Sequence, residues 1–186
     1  MAISERSLTL EAFLELPEKK PALEFEDGTV TQKVPPRGKH SGLQYAMCEI
    51  FNRVGRRAKI ALAFPELRTT FAGYSRVPDV AVYLWDRIPL DSAGKLADDF
   101  REPPDIAVEI ISRGQTTNRM VRRCLWFVEN GVRAALLVDP YDESILVFRP
   151  DRAMVLLRGA DQIELGDILP GFTLTVDEVF GTLLLS

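Results

Sequence analysis

One histidine, His40, and two cysteines, Cys48 and Cys124, are the only imidazole and thiol groups among 186 residues. With no CxxC pair and no second histidine, neither a zinc site nor a disulfide framework is indicated, and both thiols are expected to be free and buried. No apolar run approaches the length of a membrane span. The opening Met1–Arg6 is polar and leads into no signal-peptide core, so a cytoplasmic protein is expected. A Gly-rich phosphate loop, a GxSxG elbow and a nucleophile with a neighbouring histidine base are all missing. Positive charge is not in excess either. At a net charge of −4 and a pI near 5.2, any binding of nucleic acid has to rely on a local basic face.

The chain is otherwise that of an ordinary globular protein, 46% hydrophobic and 27% charged, and residues 1–186 read as a single domain able to bury its own core. The stretch Pro104–Ser112 stands out, a short Ile- and Val-rich run carrying Asp105 and Glu109. Its length and the prolines before it favour a buried strand. Strand alternation puts Asp105, Ala107, Glu109 and Ile111 on one face and Ile106, Val108, Ile110 and Ser112 on the other. Glu109 among apolar neighbours loses hydration, so it is expected to be protonated, paired with a cation or bound to a metal.

Elsewhere, Thr9 is expected to cap a short helix ended by Pro17, and Asp27-Gly28 to turn a hairpin whose Glu24 and Glu26 share one face. The clearest helix is expected from Ser41 to Lys59, capped by Ser41 with Gln44, with His40 just outside it. Arg53, Arg56, Arg57 and Lys59 gather at its C-terminal end, either complementing the helix dipole or forming a phosphate-contacting patch. Residues 60–71 read as one strand bent at Pro65, 73–75 as a turn, and Val77–Tyr83 as a strand with Asp79 at its start. A helix starting at Thr116 or Thr117 and stopping at Gly131 has the stripe Met120, Val121, Cys124, Leu125, Phe127 and Val128. Arg122 and Arg123 flank that stripe on opposite sides, and periodicity does not choose between them. Ala134–Val138 is an apolar strand, and the strand, helix, strand succession suggests a right-handed crossover. Segments 144–148, 154–158 and 162–165 read as a C-terminal β-meander, and Thr175 with Glu178 as the capping box of a last helix.

Carboxylates are therefore the residues left to carry chemistry. If the strands bearing Asp79 and Glu109 are neighbours, their oxygens converge, and two close carboxylates need a proton or cation between them. Hard oxygen ligands suit Mg2+ or Mn2+, with the Ile110 carbonyl completing the protein's share.

Val77-Pro78-Asp79 followed by Asp105-Ile106-Ala107-Val108-Glu109 resembles the paired acidic motifs of the PD-(D/E)XK nuclease superfamily. Over nearly its full length the chain resembles the Uma-type restriction endonuclease family. Thr9–Leu14, Leu23–Gly28, Gly131-Val132 with Leu137–Pro140, and Leu169–Phe172 occur in that family's order. The resemblance implies an α/β (α+β) restriction-endonuclease-like fold, a mixed β-sheet flanked by helices, with Asp79 and Glu109 holding the metal and Glu24 facing the same site. The lysine that the superfamily places two residues after the second acid is Ile111 here. Many Uma-type sequences carry a lysine on the following helix instead, and the register fixed by Gly131-Val132 puts Arg123 there. Arginine keeps its charge and is a poor base, so Arg123 is read either as stabilising charge on the phosphate or as neutralising the acidic cluster.

His40 is either a polar surface residue or a group that touches a phosphate or shuttles a proton, and with Arg113 and Gln115 it is a candidate contact to nucleic acid. The resemblance implies a Mg2+- or Mn2+-dependent endonuclease acting on DNA; the alternative is a catalytically impaired nuclease-fold protein that binds nucleic acid or a protein partner. Specificity would then call for a homodimer, built on a sheet edge in the meander, or for a partner protein.

Overall fold

Strand β7 (Ile106–Ile110) is buried along its whole length, and its alternating side chains enter two different cores. In this computed structural model, which describes residues 8–185, Ile106, Val108 and Ile110 pack into the larger core with helix α2 (Gly38–Gly55) and the C-terminal segments. Ala107 and Ile111 pack on the other side against helix α3 (Thr117–Glu129). The alternation expected from the sequence is the one observed. The expectation for Met1–Arg6 lies outside the described residues.

The chain runs through α1 (Leu10–Leu14), β1 (Leu23–Glu26), β2 (Thr29–Gln32), α2, β3 (Ala61–Pro65), β4 (Thr69–Phe71), β5 (Tyr74–Arg76) and β6 (Val80–Leu84). After β7 and α3 follow β8 (Ala134–Asp139), β9 (Ser144–Phe148), β10 (Val155–Arg158) and α4 (Val176–Gly181). Two sheets form, a six-stranded one in the order β10-β9-β8-β7-β6-β3 and a four-stranded one in the order β2-β1-β5-β4. In the larger sheet β7 and β8 are parallel, joined through α3, and the other pairings are antiparallel. The sheet is mixed, as expected, and β8, β9 and β10 form the meander at its edge.

Local chemistry explains most element ends. The β1–β2 hairpin turns on Asp27 and Gly28, both at positive φ (47° and 76°), the conformation a two-residue turn between right-twisted strands requires. Thr9 accepts a hydrogen bond from the Ala12 amide at the start of α1, and Thr175 and Glu178 form the reciprocal capping box of α4.

Several expectations are corrected: residues 74 and 75, read as part of a turn, belong to β5, and the strand read from Val77 begins at Val80, one residue after Asp79. Helix α2 begins at Gly38 with Arg37 as its N-cap, not at Ser41, and ends at Gly55. Its first turn is fixed by tertiary bonds, because His40 and Gln44 both reach Asp79. Residues 60–71 are not one strand: Glu66 at φ 47° breaks the run after β3, and β4 joins the other sheet. Leu125 is 39% exposed and lies off the buried stripe of α3. Gln162–Leu165 is not a strand, since only a Gln162–Thr175 bridge holds it, although Ile163 and Leu165 are buried. Among the described residues no helix is long and apolar enough to cross a membrane.

Candidate functional site

The β6–β7 ladder ends at the pair Val80 and Val108. One residue beyond it, Asp79 and Glu109 sit side by side on neighbouring strands, each 2% exposed. Asp79 Oδ2 accepts the Ile110 amide at 2.7 Å, so the residue expected to offer a carbonyl first contributes a donor that fixes the aspartate. Three further segments converge on the pair. The hairpin brings Glu24 and Lys33, α2 brings His40, and α3 brings Arg123, around a cavity of about 60 Å³.

Arg123 is the fork that ties the acids together. Its Nε donates to Glu109 Oε1 at 2.6 Å, and its Nη1 and Nη2 donate to the two oxygens of Glu24 at 2.9 and 2.6 Å. Glu24 Oε1 also accepts the Val77 amide at 2.7 Å. The choice that periodicity left open is thus resolved by packing: Arg123 turns inward and Arg122 stays exposed. Burial opposes the guanidinium's charge, but Glu109 and Glu24 outweigh it and raise its pKa.

Lys33, which sequence reasoning did not single out, lies just past β2. Its Nζ donates to Asp79 Oδ1 at 2.6 Å and to the Val77 carbonyl at 2.8 Å. Burial works against the ammonium, and the charges of Asp79 and Glu109 more than offset it, so Lys33 is held cationic. The only sequence signal available was a basic residue closing an acidic hairpin.

His40 is not a surface residue. It is 7% exposed, within α2, and its Nε2 lies 3.1 Å from Asp79 Oδ2. An ionised carboxylate only accepts, so Nε2 carries the proton of this bond. The buried Nδ1 has no partner. Gln115 lines the cavity and accepts the Ser112 amide through Oε1 at 2.8 Å. Arg113 is exposed and does not line that cavity.

The two acids are shifted in opposite directions although they are neighbours. Burial alone would raise Asp79, but Lys33 and His40 hold it well below the usual carboxylate range. Glu109 is pushed up to about 7, first by burial and also by the charge of Asp79, despite Arg123.

Two adjacent buried carboxylates are hard oxygen donors, which fit a divalent cation such as Mg2+ better than a softer metal. Among the described residues no group of three or more His, Cys, Asp and Glu side chains is arranged to hold an ion. Asp79, Glu109 and the Ile110 carbonyl are the groups that would hold such an ion, leaving its remaining positions to water.

A family model described as "Uma2: Putative restriction endonuclease" matches residues 10–177. The crystal structure of a putative nuclease belonging to DUF820 from Anabaena variabilis has a TM-score of 0.90 and 34% sequence identity, covering 95% of this chain and 99% of that chain. No curated protein matches.

Proposed function

Since the chain belongs to the Uma2 family, described as putative restriction endonucleases, and has the restriction-endonuclease-like fold, we propose that it hydrolyses DNA phosphodiester bonds with the help of Mg2+ or Mn2+. The observation that carries this reading is the meeting of Asp79 and Glu109 at the ends of adjacent strands, with Lys33 and Arg123 against them.

In this reading Asp79, Glu109 and the Ile110 carbonyl hold the ion. When bound, it supplies Lewis acidity that makes a water a better nucleophile and offsets phosphate charge. The protein's own groups do the rest. His40 and the Ile110 amide fix the aspartate, and Glu24 aims the Arg123 guanidinium. As the water oxygen bonds to phosphorus, giving its proton to solvent, and the P–O ester bond breaks, its oxygen taking a proton from solvent, negative charge grows on the phosphoryl oxygens, and Lys33 and Arg123, the cations bonded to the two acids, would offset it. Neither is a base here, because each is held in its charged form by the acids.

The test is incubation of the purified full chain with plasmid DNA and Mg2+ or Mn2+. Nicked or linear product is expected, lost in Asp79→Ala and Glu109→Ala. Intact DNA under every metal, together with no calorimetric binding of Mn2+, would end this reading. A second reading, binding without cleavage, is favoured by one feature: both Asp79 oxygens are already engaged by Lys33, His40 and Ile110. Under either reading specificity comes from a protein partner or a homodimer. The edge strand β10, with Val155 and Leu156 about half exposed, is the surface suited to pairing two copies.

A further inference from the structure

A second cavity, of about 560 Å³, opens between the hairpin and α3. It shares Glu24, Thr31, Arg119 and Arg123 with the lining of the carboxylate cavity, so the two adjoin. Four arginines, Arg76, Arg119, Arg122 and Arg123, line this one groove with three acids, Glu24, Glu26 and Glu129, an excess of positive charge in a chain of net charge −4. Arg119 and Arg122 are exposed and enter no ion pair among the described residues.

Arg76 is the unusual member. It is only 4% exposed, with its guanidinium carbon 4.1 Å above the Trp126 ring. Its one ion pair is through Nη2 to Glu26, a side chain that is 55% exposed, at 3.0 Å. Its buried Nε has no partner. A buried donor without an acceptor is costly unless something fills the place. Burial and the neighbouring Arg123 both lower the Arg76 pKa, the direction an added anion would reverse.

We infer that this groove binds the phosphodiester backbone of a nucleic-acid strand and leads it to the carboxylate site, an inference that rests on the nuclease reading. The shared chemistry is a row of phosphates on arginine, presented either by a single strand or by one strand of a duplex. The other basic surface, Arg56 and Arg57 at the far end of α2, is the competitor. It lies roughly 24 Å along the helix from His40 at 1.5 Å per residue. Both arginines are exposed, and the patch has no buried donor lacking a partner among the described residues.

The experiment measures fluorescence anisotropy of a labelled 20-nucleotide thymidine oligomer and of a 20-base-pair duplex with the full chain in EDTA, where metal-dependent cutting is off. Arg119→Ala/Arg122→Ala is expected to weaken binding at least tenfold and to reduce the slope of log affinity against log salt by about 2, one for each phosphate that loses its arginine. Arg119→Lys/Arg122→Lys should keep the slope. The probe whose binding falls identifies the strand's source. Wild-type affinity in the alanine variant for both probes, an equal loss in Arg56→Ala/Arg57→Ala, or no binding of either probe by the wild type overturns the inference. Because binding is read without cleavage, the two readings fail separately. A protein that cuts DNA yet binds unchanged without these arginines loses the groove alone, and one that binds through them but never cuts loses the reaction alone.

Discussion

Lys33 Nζ and Asp79 Oδ1 meet at 2.6 Å although 46 residues separate them in the chain. The bond joins the hairpin to the end of β6 and places a fixed ammonium where Ile111 offers none. If the site hydrolyses phosphodiesters, Lys33→Met is expected to slow plasmid nicking by roughly 100-fold at saturating Mn2+, the size of effect typical of one lost charge-stabilising donor. Lys33→Arg should recover part of the rate. Equal rates for Lys33→Met and wild type would remove Lys33 from the reaction.

Among the described residues, Arg123 is the only cation that touches both Glu24 and Glu109. Arg123→Ala leaves two buried carboxylates without their shared partner, a change that costs about 3–5 kcal/mol. Urea denaturation at neutral pH reads this directly. Arg123→Lys should lose less, since it keeps the charge but not the two-pronged hold on Glu24.

Glu24 gives the pH dependence a sign. Burial raises this acid, but the charge and hydrogen bonds of Arg123, together with the Val77 amide, hold it below its ordinary 4.5. A carboxylate lowered on folding stabilises the protein above its unfolded value, and that contribution is lost as pH falls through the native one. Glu24→Gln is expected to cost about 3 kcal/mol at neutral pH. The gap from wild type should close as the pH is taken below 4.5. A gap that stays constant across the acid range would contradict the assignment.

Burial pushes the Cys48 thiol up to about 11 and raises Cys124 well above the usual range. Neither offers a thiolate near neutrality. A chromogenic disulfide reagent should therefore find no fast-reacting thiol in the native protein and two after denaturation.

Gly55, the last residue of α2, has no room for a side chain. A Cβ there would lie 2.7 Å from the Ala61 carbonyl oxygen at the start of β3. Because the obstacle is backbone, Gly55→Ala is expected to destabilise by about 2 kcal/mol, despite the better helix propensity of alanine. Thermal unfolding checks it.

How much of this could be read from the chain varies with the range of the forces involved. Residues whose partners are local were legible: the Asp27-Gly28 turn, the Thr175–Glu178 box and the alternation of β7 all follow from neighbours within a few positions. Asp79, Glu109, Glu24 and Arg123 were reached through an ordered series of motifs, and the structure brings them together. Lys33 was not, because a lysine after a strand is indistinguishable from a surface lysine until Asp79 comes to meet it. His40 was misplaced for the same reason. Its helix starts early because Asp79 accepts from its side chain while the Asp79 carbonyl accepts from Gln44, and no cap in the local sequence announces that start. The break after β3 depends on Glu66 adopting a positive φ, which side-chain pattern does not encode.

The hairpin that delivers Glu24 and Lys33 comes early in the chain, and α3, which delivers Arg123, is made 99 residues after Glu24. A growing polypeptide therefore contains the carboxylates at β6 and β7 before the arginine that clamps them has been added. Until α3 emerges and docks, Glu109 has no counter-charge from its own strand. An unfinished chain cannot assemble the cluster, so any activity is withheld until synthesis has passed the third helix.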